Sequence, residues 1–142
     1  KSIKNLVRQF QPNIIYYLAA FQSSSENLEV ENEKYIFDQS YNVNTRGLFF
    51  FLKSIKNEKL NCRLFYPSSS LIFDNSSIIK NEESKINPQC IYSMTKFQGM
   101  LLCNYFREIH NIYVSVGMLF NHESNFRKDE FISKKILFGD LW

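Results

Sequence analysis

Glycine is scarce in this chain. Gly47, Gly99, Gly117 and Gly139 are the only four in 142 residues, too far apart to form a Gly-x-Gly-x-x-Gly or Gly-x-x-Gly-x-x-Gly turn. A dinucleotide-binding sheet that opens at its first strand carries such a turn, because backbone N–H groups must approach the pyrophosphate at a helix N-terminus. Either the chain binds no nucleotide, or its first strand–helix unit lies outside this sequence; a helical pattern at residue 1 with no strand before it favours the second. Cysteine is equally sparse: Cys62, Cys90 and Cys103 form no Cys-x-x-Cys pair and cannot all bridge one another, which points to a reducing, cytoplasmic setting. The longest apolar runs, Ile14 to Phe21 and Gly47 to Leu52, are far too short to cross a bilayer. No leader with a basic segment, apolar stretch and cleavage site opens the chain, so secretion is not expected. The net charge of +3, from 17 basic and 14 acidic residues, is too weak to imply a nucleic-acid partner. Two histidines, His110 and His122, lack ligand partners at useful spacing, so no metal site is expected.

What is present suits one globular domain. Hydrophobic residues make up 44% of the chain and charged residues 22%, which excludes a disordered tail. Ile3, Leu6, Val7 and Phe10 share one helical face, and Pro12-Asn13 ends it. The unbroken run Asn13 to Leu18 predicts a strand covered on both faces. Ser23 to Lys34 is polar and aperiodic, a surface loop. Tyr35 to Lys56 fits one long helix, in which Gly47 costs about 1 kcal/mol relative to alanine and therefore needs a packing reason. Cys62 to Tyr66 predicts a second strand, ending at Pro67-Ser68-Ser69-Ser70. Asn75 to Gln89 reads as an irregular connection, Tyr92 to His110 as a helix, and Ile112 to Leu119 as a third strand. Phe131, Ile132, Lys135 and Ile136 suggest a short closing helix.

Alternating strands and helices predict an α/β fold: a Rossmann-like, doubly wound parallel sheet with helices on both faces, in one partial domain over residues 1–142. Ligands in such folds collect beyond the carboxyl ends of the strands, here after Leu18, Tyr66 and Leu119.

Chemistry is concentrated in those places. Tyr92-Ser93-Met94-Thr95-Lys96 puts a phenol and an ammonium at i and i+4 on one helix face. A lysine cation there favours phenolate and lets tyrosine exchange protons with a sugar or alcohol hydroxyl near neutral pH. The pair alone is a weak match. Ser68-Ser69-Ser70 at a strand end offers a hydroxyl to a developing alkoxide, or is simply a serine-rich turn. Leu18-Ala19-Ala20 after the first strand would let a cofactor approach closely. Phe120-Asn121-His122-Glu123-Ser124 follows the third strand, where four consecutive polar side chains are not core. Arg127 and Lys128 could meet phosphate, or pair with Asp129 and Glu130 in a solvated loop. Asn75-Ser76-Ser77 fits a glycosylation sequon, set aside because no export signal accompanies it.

Taken in order, Leu18-Ala19-Ala20, Ser68-Ser69-Ser70 and Tyr92-x-x-x-Lys96 resemble the extended short-chain dehydrogenase/reductases that act on nucleotide sugars (the NAD-dependent epimerase/dehydratase family). Gly117 to Ser124, with Arg127 and the stretch Phe131 to Ile136, is similar to the GDP-mannose 4,6-dehydratase branch. The similarity runs from about Gln11 to Ile136, as an internal fragment of a family member. It implies tightly held NADP, with NAD possible, a nucleoside-diphosphate hexose such as GDP-mannose as substrate, conversion to GDP-4-keto-6-deoxymannose, and a homo-oligomeric parent. It also implies roles. Tyr92 would take the hydroxyl proton at sugar C4 while hydride leaves. Lys96 would hold the nicotinamide ribose and bias Tyr92 towards phenolate. Ser69 would hydrogen-bond the reacting oxygen. Leu18, Ala19, Ala20, His122 and Arg127 would contact the cofactor, and Asn121 would lie nearer the substrate. One departure matters: the family's Ser-Glu becomes Ser70-Leu71 here, and leucine cannot accept the C5 proton that glutamate removes. A 4-reductase or epimerase that eliminates no water, or a noncatalytic fragment, therefore stands as the alternative.

Overall fold

The computed structural model describes residues 2–22, 32–74, 79–122, 124 and 136. The chain order is α1 (Ile3–Phe10), β1 (Ile14–Tyr16), α2 (Glu33–Ser40), a π-helical segment (Tyr41–Gly47), α3 (Leu48–Asn57), β2 (Arg63–Ser69), a 3₁₀ turn (Ser70–Ile72), α4 (Ile91–His110) and β3 (Val114–Leu119). The three strands form one parallel sheet in the order β1-β2-β3. This is the Rossmann-like parallel α/β arrangement that the alternation predicts.

Local sequence explains most boundaries. The Ser2 hydroxyl accepts the Asn5 N–H and caps α1, and Gln11 ends it in the left-handed region at φ 42°. The expected surface loop ends earlier than Lys34, because the Asn32 side chain accepts the Lys34 N–H and starts α2 at Glu33; residues 23–31 lie outside the described part. At one edge of the sheet, β1 is shorter than expected, and its burial differs: Ile14 is 55% and Tyr16 66% exposed, because they share with Arg63 and Phe65 the sheet face over which no described helix packs. The strand expected to end at Tyr66 instead runs on to Ser69. Backbone groups of Arg63 and Phe65 face β1, as their bonds to Asn13 and Tyr17 show, so those of Pro67 face the same side beyond the end of β1. A residue with no N–H is harmless there.

The long helix expected over Tyr35 to Lys56 is helical throughout but not α throughout. Its middle widens to π-helix, and the carbonyls of Val43 and Asn44 accept the Tyr17 and Tyr66 hydroxyls instead of serving only the helix. The main core lies on one face of the sheet: Leu64, Tyr66 and Val114 pack against Leu48, Leu52 and Phe106 of α3 and α4. On the opposite face, Phe65 meets Tyr16 and Arg63 stacks on Tyr113, with no described helix above them. The second helical layer of a doubly wound fold is thus not among the described residues. A smaller cluster of Ile72, Phe73 and Met100 holds the 3₁₀ turn against α4. The closing helix expected at 131–136 falls outside the described residues except for Ile136, which is exposed.

Candidate active site

The carboxyl ends of all three strands lie at one edge of the sheet, since the strands are parallel and adjacent. Ser69 is the last residue of β2 and is paired in register with Leu119, the last of β3. Its hydroxyl accepts the Leu71 N–H at 3.2 Å and starts the 3₁₀ turn. Tyr92 stands on the first turn of α4. That turn is fixed by a capping box in which Cys90 acts as N-cap: its sulfur accepts the Ser93 N–H, and the Ser93 hydroxyl accepts the Cys90 N–H.

The structure brings Ser69, Tyr92 and Lys96 together. The half-buried Tyr92 phenol lies within reach of the Ser69 side chain. Lys96, 2% exposed, turns inward; its Nζ donates to the Pro67 carbonyl at 2.9 Å and lies 5.7 Å from the Tyr92 ring centroid and 5.1 Å from that of Tyr66. That carbonyl is open to Lys96 because it faces the β1 side of β2 beyond the point where β1 ends. Burying an ammonium is costly, and one carbonyl with two ring faces compensates in part. Desolvation accordingly brings the Lys96 pKa down to about 8.

Tyr92 behaves differently from the expectation. Burial raises its pKa, the Ser69 side chain pulls it back in part, and the neighbouring Cys90 adds a smaller rise, so the net shift is upward. The Lys96 Nζ lies 5.7 Å from the ring centroid, and its charge does not offset the desolvation.

Leu18, Ala19 and Ala20 are exposed immediately beyond β1, and Asn121 and His122 are exposed immediately beyond β3, so both groups flank the Ser69 end of β2. His122 Nδ1 lies 3.3 Å from the Phe120 carbonyl. Arg127 lies outside the described residues. Leu71 is 51% exposed beside the site. The next carboxylate, Asp74, is bound to Lys80 at 2.9 Å, with the two side chains only 15% and 10% exposed.

Sequence reasoning missed Asn44, Thr45 and Thr95, all buried behind the site. Their only signal was polarity on the inner side of otherwise apolar helices. Among the described residues, no cluster of His, Cys, Asp or Glu could hold a metal, and no helix is long and apolar enough to cross a membrane. A nicotinamide cofactor does fit: small side chains at Ala19 and Ala20 leave room beyond β1, and the Lys96 ammonium has donated only one of its three N–H groups to the protein.

Comparison with known proteins agrees with this arrangement. A GDP-mannose 4,6-dehydratase from Sinorhizobium fredii is 29% identical over 138 residues, covering 95% of this chain and 38% of the relative. One from Drosophila melanogaster is 28% identical over 136 residues, covering 95% and 33%. The chain therefore spans about a third of the length of these curated relatives. Among solved structures, a UDP-glucuronic acid 4-epimerase from Bacillus cereus, in complex with UDP-glucuronic acid and NAD, superposes with a TM-score of 0.79 at 18% identity, over 97% of this chain and 43% of that one. RMD from Pseudomonas aeruginosa, complexed with NADPH, gives 0.72 at 21%, over 87% and 41%. At such identities these structures speak for the fold, which they share. The family model for GDP-mannose 4,6 dehydratase matches residues 1–139, so this chain belongs to that family of lyase-type nucleotide-sugar enzymes.

Proposed function

We propose that this chain is the catalytic middle part of an NADP-linked enzyme that converts GDP-mannose to GDP-4-keto-6-deoxymannose. The observation that carries the reading is the buried Lys96 ammonium, held on the Pro67 carbonyl beside the Tyr92 ring with Ser69 within reach of the phenol. Tyr92, as phenolate, takes the proton of the sugar C4 hydroxyl, and Ser69 holds the same oxygen by a hydrogen bond. The bound nicotinamide supplies the acceptor for the C4 hydride. Lys96 keeps two N–H donors for the nicotinamide ribose, and its positive charge favours the phenolate. Leu18, Ala19 and Ala20 line the cofactor, His122 and Arg127 contact it, and Asn121 reaches the substrate. Two solved structures with this fold hold NAD in one case and NADPH in the other, which supports a nicotinamide cofactor of either kind; the choice of NADP rests on the family resemblance. The same reading places the enzyme in the cytoplasm, where its free thiols persist. It also makes the enzyme a homo-oligomer that buries the exposed Tyr41, Leu101 and Tyr105, which line one shallow groove.

A second reading is favoured by Leu71 and Asp74. An exposed leucine occupies the position of the family's proton-abstracting glutamate, and the nearest following carboxylate is neutralised by Lys80. The site then oxidises or reduces at C4, as a reductase or epimerase does, without eliminating water. Incubation of the full-length polypeptide with GDP-mannose and NADP, followed by mass spectrometry of the product, separates the two. Loss of water supports the dehydratase, redox turnover without it supports the second reading, and absence of cofactor binding rejects both.

A further inference from the structure

Proton and hydride transfer need two separate pieces of chain at a fixed distance: the first turn of α4, which carries Tyr92, and the segment after β1, which carries Leu18 to Ala20. The described residues show no direct hydrogen bond between segment 18–22 and α4. One indirect path connects them. The Asn44 side chain, wholly buried in the π-helical segment, grips the backbone of Phe21 twice: its Oδ1 accepts the Phe21 N–H at 2.9 Å, and its Nδ2 donates to the Phe21 carbonyl at 3.1 Å. The remaining Nδ2 hydrogen goes to the Thr95 hydroxyl at 3.0 Å. Thr95 spends its single hydroxyl proton on the Tyr92 carbonyl at 2.9 Å. Every donor and acceptor in this chain of bonds is matched, and Thr95 is 1% exposed. A second tie runs beside it, from the Thr45 hydroxyl to the Thr95 carbonyl at 3.1 Å.

We propose that Thr95 is a positioning residue for Tyr92: its one hydroxyl fixes the first turn of α4 to Asn44 and, through Asn44, to the backbone that follows β1. The widening of the helix at Tyr41–Gly47 is what turns Asn44 to face both partners at once. Alanine or valine at position 95 would be compatible with the helix but leave an Asn44 N–H buried without an acceptor. The catalytic part of the inference rests on the function proposed above; the mechanical part does not.

Thr95→Val keeps the shape and removes the hydroxyl, and Thr95→Ser restores it. In the full-length enzyme, Thr95→Val is expected to lower kcat about 30-fold, as sub-ångström misplacement of a catalytic group does, with KM for GDP-mannose within about threefold. Thr95→Ser should recover kcat to within about threefold. Ile55→Val, a core change remote from the site, is the control for lost stability. Hydrogen exchange read by mass spectrometry is the arm independent of turnover: the peptide containing Phe21 should exchange about tenfold faster in Thr95→Val, with β3 unchanged, and recover in Thr95→Ser. An unaltered Phe21 peptide, no rescue by serine, or an equal loss of kcat in Ile55→Val overturns the proposal. If the unsubstituted enzyme shows no cofactor-linked turnover, the proposed function falls, and the exchange of the Phe21 peptide alone decides whether Thr95 holds the two segments together.

Discussion

The hydroxyl of Tyr17 stands where a side chain at Gly47 would begin. A Cβ built on Gly47 meets that oxygen first, well inside contact distance, while the Asn42 carbonyl at 3.3 Å and the Tyr17 Cζ at 3.5 Å are tight but tolerable. In an unpacked helix, Gly47→Ala would stabilise by about 1 kcal/mol. Here it is expected to destabilise by about 1–3 kcal/mol in urea unfolding, because overpacking outweighs propensity. Adding Tyr17→Phe removes the obstructing oxygen, so the double variant should be more stable than Gly47→Ala alone. A double variant no better than the single would mean that something other than Tyr17 fixes glycine at this position.

Tyr92→Phe leaves the ring and its neighbours in place and removes the group that exchanges the proton. In the full-length enzyme, turnover should fall by about 10²–10⁴-fold, while the dissociation constant for NADP stays nearly unchanged. Cofactor fluorescence titration beside steady-state kinetics makes the comparison. Turnover close to that of the parent would remove Tyr92 from its role.

Lys96 leaves a signature in the pH dependence of stability. Its pKa is about 8 in the fold against an ordinary value of 10.5, so between these limits the unfolded chain binds more protons and stability rises with pH. Below pH 8 both states are charged and the contribution is flat. Buried Cys103 and Tyr17, each pushed up to about 12, act in the opposite sense above pH 9 and 10 respectively. Subtracting the profile of Lys96→Met isolates the lysine: the difference should grow by about 1–3 kcal/mol from pH 8 to 10.5. A flat difference would show that the ammonium is solvated rather than buried.

Leu71→Glu puts a carboxylate on an exposed position two residues beyond Ser69. Water elimination from GDP-mannose should appear, or increase, in the full-length enzyme carrying this change. A folded variant whose product retains the water would show that position 71 does not face C5 of the sugar.

Much of the architecture was legible without coordinates. Apolar runs of strand length alternating with amphipathic helices permit little other than a parallel sheet, and α1, α4 and β3 lie close to where periodicity placed them. The errors share a cause. The strand β2 was cut short at Pro67 because proline is a poor ladder member, yet only the position of β1 reveals that no N–H is wanted there. Helix 35–56 reads as uniform because its period survives the π-helical widening, where the Val43 and Asn44 carbonyls accept the Tyr17 and Tyr66 hydroxyls. Lysine beside tyrosine at i+4 suggested a lowered phenol pKa, since spacing gives neighbourhood but not burial.

The sequence by itself determined which residue types stand at each strand end, because chain order and parallel topology carry every such segment to the same edge of the sheet. Only the tertiary structure decided that the Ser69 hydroxyl meets the Tyr92 phenol, that Lys96 points inward to Pro67, and that Asn44 and Thr95 tie the two sides together. Those contacts join residues 23 to 51 positions apart, and hydrogen bonds across such separations depend on how helices are packed and turned on the sheet, which no local pattern encodes.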